Sequence, residues 1–77
     1  KYLATYLAPK IRVNTIVPGG IQNNQKKEFI SKYSSLVPMK RMMKRDELLG
    51  AVEYLLSPKS SYVTGSTVFI DGGWTAW

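Results

Sequence analysis

The chain is expected to be α/β, built on parallel strands, and three observations carry that expectation. Two short apolar runs each end in a glycine pair: Ile11-Arg-Val-Asn-Thr-Ile-Val-Pro-Gly-Gly20 and Ser66-Thr-Val-Phe-Ile-Asp-Gly-Gly73. A long helical pattern separates them. Both runs are nearly continuous in apolar character, as strands covered on both faces are. Together these features describe the last βαβ unit of a parallel sheet, with a ligand-facing turn after its first strand. Two strands with helices on one side do not make a parallel sheet that stands alone. The 77 residues are therefore expected to be the end of something larger.

The elements follow in order. Residues 1–8 read as the last turns of a helix, with Tyr2, Leu3, Tyr6 and Leu7 as an apolar stripe. Pro9 stops it, because its ring clashes with the preceding turn and it has no N–H to donate. Residues 11–17 form the first strand, rich in β-branched side chains that suit a pleated surface. Pro18-Gly19-Gly20 breaks that strand, and the glycines permit close approach of a ligand. Asn24 is expected to cap a helix running to about Ser35, with Phe29, Ile30, Tyr33 and Leu36 at helical spacing. The Ser34-Ser35 pair and Pro38 end it, and residues 39–43 read as a loop.

The next helix is expected from about Arg45 to Leu56. Leu48, Leu49, Ala51, Val52, Leu55 and Leu56 form its apolar face. Asp46 and Glu47 sit in its first turn, where they suit the helix dipole. Residues 60–65 form a turn region, residues 67–70 the last strand, and Asp71-Gly72-Gly73 its end. Residues 74–77 are an aromatic tail. There is no internal repeat and no low-complexity segment.

Composition narrows the chemistry. There is no cysteine and no histidine. No disulfide or thiolate-held metal staples the chain, and the usual general base and commonest metal ligand are both missing. The lack of cysteine fits a cytoplasmic protein. No apolar run has the length of a membrane span, and no signal-peptide layout is present. The net charge is +6, from eleven Lys or Arg against five acids. Lys26, Lys27, Lys32, Lys40, Arg41, Lys44 and Arg45 supply much of it. One reading of that run is a solvated face; the other is a site for anions such as phosphate or nucleotide. The basic residues are not interleaved with aromatics, so a nucleic-acid platform is not expected.

Over nearly the whole chain the series of motifs resembles the C-terminal third of a short-chain dehydrogenase/reductase. The residues that carry the resemblance are Ile11-Arg-Val-Asn14, Pro18-Gly19, Pro38-Met-Lys-Arg41, Asp46-Glu47-Leu48, Leu55-Leu56-Ser57, Tyr62-Val-Thr-Gly65 and Asp71-Gly72-Gly73. No single piece is specific; the ordered series is. The resemblance implies the C-terminal part of a Rossmann-type doubly wound parallel sheet that binds NAD or NADP. Residues 1–77 would be one segment of that domain, with residues 22–43 as its substrate loop.

In that family the catalytic Ser, Tyr and Lys lie before this segment, so no catalytic residue is expected in the chain. Tyr6-Leu-Ala-Pro-Lys10 fits Tyr-x-x-x-Lys only literally. Residues at i and i+4 share a helical face, and here Pro9 ends the helix inside the motif.

The resemblance also implies cofactor contact through Pro18, Gly19, Gly20, Ile21 and Asn23. The backbone after Pro-Gly meets the nicotinamide carboxamide in the family. Asn23 stands where the family has a threonine, and asparagine still donates and accepts. The plain alternative for Pro18-Gly19-Gly20 is a strand-ending turn. Residues 22–43 are implied to close over a small-molecule substrate, and their basic side chains either steer an acidic one or serve solubility. Met39, Met42 and Met43 line an adaptable pocket or fill core. Arg41 is implied to brace the loop, Asp71 to fix the last turn, and Asn14 to hydrogen-bond within the strand.

Homo-oligomers, dimers or tetramers, are implied as well, with the aromatic tail buried between subunits. The competing reading is a stand-alone, non-catalytic interaction or oligomerisation module that binds anions through its basic segment. Poor stability is expected of the 77 residues by themselves, because strand edges and a sheet face are uncovered.

Overall fold

The two strands form where β-branched residues concentrate, and they lie side by side and parallel. In a computed structural model, which describes residues 1–76, β1 spans Thr15–Pro18 and β2 spans Thr67–Ile70. Their register pairs Thr15 with Thr67 and Pro18 with Ile70. The crossover between them carries α2 (Lys27–Leu36) and α3 (Arg45–Leu56). A short helix, α1 (Tyr2–Leu7), precedes β1, and single 3-10 turns occupy Pro58–Ser60 and Trp74–Ala76. Trp77, the last residue of the expected aromatic tail, lies outside the described residues.

Several boundaries differ from the expectation for physical reasons. The ladder starts at Thr15 rather than at Ile11. Upstream, side chains interrupt the ladder: the Val13 carbonyl still accepts the Gly65 N–H at 2.8 Å, but the Val13 N–H donates to the Thr64 hydroxyl at 3.1 Å. Asn14 donates through Nδ2 to the Val63 carbonyl at 3.0 Å and accepts the Ser66 N–H at 3.0 Å. Pro18 closes the strand instead of breaking it, since the Gly19 N–H continues the pairing to the Ile70 carbonyl at 2.7 Å. Asn24 does not cap α2. Gln25 organises that approach instead, accepting the Asn23 N–H at 2.6 Å and donating to the Ile21 carbonyl at 2.9 Å, so the helix begins at Lys27. Residues 39–43 are ordered by an isolated parallel bridge between Ile21 and Met43.

α3 and β2 have the expected bounds. Arg12 secures the carboxyl end of α3: its guanidinium donates to the carbonyls of Leu55 at 2.8 Å and Val63 at 3.2 Å. A cation suits the negative end of a helix dipole. Ser60 is fully buried, its hydroxyl shared between the Leu55 and Ser57 carbonyls.

The buried apolar side chains are few: Ala4, Val37, Met42 and Met43. Accessible surface is 6180 Å², against about 4,700 Å² for a closed monomer of this mass. The radius of gyration is 15.1 Å, against about 11–12 Å for a compact domain of this length. Large apolar side chains stand on that surface. Tyr2 and Tyr6 stack on each other at 6.0 Å, yet they are 75% and 71% exposed, and Leu56 is 79% exposed. A cleft lined by Ile11, Ile16, Val52 and Leu55 separates β1 from α3.

Candidate functional site

In open α/β sheets ligands bind outside the carboxyl ends of the strands. There a cavity of about 310 Å³ opens between the turn after β1 (Gly19, Gly20) and the turn after β2 (Asp71, Gly72, Gly73). Tyr33 of α2, Met39, Met43, and the Arg41 and Glu47 side chains complete much of its wall.

The five candidate residues do not all meet there. Gly19 and Gly20 line the cavity, whereas Pro18, Ile21 and Asn23 lie beside it. Pro18 sits in the ladder opposite Ile70. Asn23 is exposed, with its N–H taken by Gln25. Around Ile21, the Gln22 N–H donates to the Met43 carbonyl at 2.8 Å, and the Met43 N–H donates to the Gly20 carbonyl at 3.0 Å. In a parallel bridge with this pattern the central residue turns its own N–H and C=O away from its partner. The Ile21 carbonyl takes the Gln25 amide. Among the described residues its N–H meets no acceptor.

Tyr33 has a closer role than its place in an apolar stripe foretold. Its hydroxyl oxygen accepts the Gly20 N–H at 2.6 Å. Its ring stacks on Trp74 at 5.5 Å and tilts against Phe29 at 6.1 Å. A Cβ at position 20 would come within 2.7 Å of the Tyr33 ring, so only glycine fits beneath it. The one sequence signal was the second glycine itself.

The floor is electrostatically closed. Arg41 grips Glu47 through two hydrogen bonds of 2.7 Å and also donates to the Met42 carbonyl. Glu47 accepts the Lys44 N–H as well, at 2.8 Å, which secures the first turn of α3. Hydrogen bonding from Arg41, then from Lys44, lowers the Glu47 carboxyl from 4.5 to about 2 and raises the guanidinium. Asp71 is held below its ordinary value, first by the Thr75 hydroxyl and then by the N–H groups of Gly73 and Thr75. Both carboxylates are thereby committed to ionised, structural roles. They are not poised to exchange protons at neutral pH.

Tyr6 and Lys10 form no helical pair: α1 stops at Leu7, and the Lys10 N–H bonds back to the Leu7 carbonyl. Among the described residues no His, Cys, Asp or Glu cluster forms a metal site, and no helix is long and apolar enough to cross a membrane.

Comparison with known proteins matches this architecture. The family model described as enoyl-(acyl carrier protein) reductase matches residues 1–75. A short chain dehydrogenase from Leptospira borgpetersenii, crystallised with bound NAD+, superposes with a TM-score of 0.88. It is 51% identical, over 96% of this chain and 30% of its own. The 3-oxoacyl-(acyl-carrier-protein) reductase FabG of Buchnera aphidicola is 41% identical over 78 residues, 95% of this chain and 32% of that protein. Glucose 1-dehydrogenase 2 of Bacillus subtilis is 41% identical over 75 residues, 91% of this chain and 29% of that enzyme. The chain thus spans between a quarter and a third of the curated relatives' length. With two parallel strands, the glycine turn and the match over residues 1–75, the chain belongs to the short-chain dehydrogenase/reductase family.

Proposed function

We propose that this chain is the carboxyl-terminal segment of a single NAD(P)-binding Rossmann domain. The parent is a cytoplasmic oxidoreductase that moves a hydride between nicotinamide and a carbonyl or alcohol of a small molecule. The segment supplies the nicotinamide-side turn, a substrate lid at residues 22–43 and an oligomer surface. The Ser, Tyr and Lys of the hydride-transfer chemistry belong to the rest of the domain, and this segment alone is inactive. The excess accessible surface and the exposed tyrosine pair of α1 support a larger body around it.

One observation carries the reading. At the carboxyl end of β1, Ile21 presents an N–H that meets no acceptor among the described residues, next to two glycines that line the cavity. A planar carboxamide needs such a donor for its oxygen. Gly19 is spent on the Ile70 carbonyl and Gly20 on Tyr33, so the carboxamide contact falls to Ile21. Pro18 and Gly19 set the end of the strand from which it projects, and Asn23 offers an exposed amide one turn on. The nicotinamide, when bound, supplies the hydride-carrying ring. The chain's part is to orient that ring and to close over the substrate, excluding water as lids do.

The test is a titration of the intact polypeptide carrying this segment with NADH and with NADPH, followed by nucleotide fluorescence. Saturable binding of at least one is expected. No binding of either sinks the proposal.

A further inference from the structure

We infer that Tyr33 is a positioning residue that sets the depth of the Gly20–Ile21 turn and so the aim of the Ile21 N–H. The inference rests on the proposed cofactor contact and assigns the side chain that controls it.

Gly20 is anchored at both of its polar groups to the segment proposed as the lid. Its carbonyl accepts the Met43 N–H at 3.0 Å, and its N–H donates to the Tyr33 hydroxyl oxygen at 2.6 Å. The Gly20 carbonyl and the Ile21 N–H share one rigid peptide plane, which the Met43 anchor holds; the Tyr33 anchor holds the plane before it, and together they limit the turn of the backbone at Gly20 that aims the Ile21 N–H. The first anchor is backbone and is open to any sequence. The second depends on one side chain.

The ring is itself held. Trp74, beyond β2, stacks on it at 5.5 Å and 22°, and Phe29 abuts it one turn earlier on α2. Tyr33 therefore joins the turn after β1, α2, and the turn after β2. The fit leaves no slack: the ring atoms lie 2.7–3.0 Å from where a Cβ on Gly20 would stand. A glycine with an aromatic ring against it and a hydroxyl on its N–H makes a matched pair.

The experiment uses the intact polypeptide and the tighter-binding of NADH and NADPH. Tyr33→Phe keeps the ring and removes the acceptor. Loss of one hydrogen bond of this kind predicts dinucleotide affinity about 3- to 10-fold weaker. KM for the dinucleotide rises in parallel where a substrate is in hand, with kcat within about twofold and a melting temperature lower by no more than a few degrees. A second arm uses the clash. Gly20→Ala weakens binding, and Gly20→Ala with Tyr33→Leu binds no worse than Tyr33→Leu alone, since the ring that opposed the new methyl is gone.

An unfolded Tyr33→Phe, or one that melts lower but binds as well as the parent, makes Tyr33 mere packing and overturns the inference. Additive losses in the double variant do the same. If the unmodified polypeptide binds neither dinucleotide, the proposed function itself fails. If it binds and Tyr33→Phe binds equally, only the role of Tyr33 fails.

Discussion

The carboxyl end of the strand pair and the outer helical faces are built from similar apolar residues, yet they finish differently. At the carboxyl end, Val37, Met42 and Met43 are buried, Gly20 is pinned at both polar groups, and two carboxylates are saturated with donors. On α1 and the outer side of α3, Tyr2, Leu3, Tyr6 and Leu56 stand in solvent. The first region satisfies itself with partners from within this chain. The second carries apolar area that this chain does not cover, and large exposed patches mark surfaces made to be covered. The difference separates what the segment organises by itself from what it offers to the rest of a domain or to another subunit.

The comparison breaks most readily at the turn after β2. Gly73 has φ +95°, and a Cβ there would meet the Pro38 ring at 2.8 Å. Gly73→Ala is expected to destabilise the intact polypeptide by about 2–3 kcal/mol through backbone strain and the clash together. Thermal melting measures it, and a loss under half a kcal/mol would show this end to be as tolerant as the helical faces. Gly50, in α3, is the opposite case. Nothing lies within 4 Å of its would-be Cβ, and alanine in an exposed helix is worth about 0.5–1 kcal/mol over glycine. Gly50→Ala is expected to raise the melting temperature. A fall would mean that a partner covers this face so closely that a methyl is refused.

The smallest effect sharpens the electrostatic side. The Glu47 carboxyl sits at about 2 in the fold against 4.5 ordinarily. A depressed folded-state value means that the stabilisation is complete above 4.5 and is lost as pH falls from 4.5 towards 2. NMR titration of the intact polypeptide should place the Glu47 midpoint near 2, and Arg41→Gln should bring it back towards 4.5. Because the pair is exposed, the accompanying change in melting temperature is small and is screened by salt. A midpoint unmoved by Arg41→Gln would show that the Lys44 N–H, not the ion pair, holds the charge.

Much of the fold was legible because it depends on neighbours in sequence. The span of α3 follows from its apolar period, its acidic first turn and Pro58 just beyond. The span of β2 follows from Thr67, Val68 and Ile70 between a turn and Asp71-Gly72-Gly73. The start of β1 was not legible, because side chains of Asn14 and Thr64, some fifty positions apart, take part of its pairing. The first turn of α2 was not legible either: Asn24 and Gln25 are both plausible turn formers, and only the placement of Ile21 decides for Gln25. At the candidate site, the glycine pair Gly19-Gly20 was marked by its sequence, and it lines the cavity. Tyr33 carried no mark distinguishing it from an ordinary core-facing residue.

From the order of residues alone came the class of fold, the parallel sense of the two strands and the family, since local periodicity and short motifs record these directly. Only the folded chain decided that the N–H groups of Gly19 and Gly20 are consumed while that of Ile21 meets no acceptor among the described residues. Hydrogen bonds between distant residues compete for the same few donors, and the winner depends on separations of tenths of an ångström that no run of letters encodes.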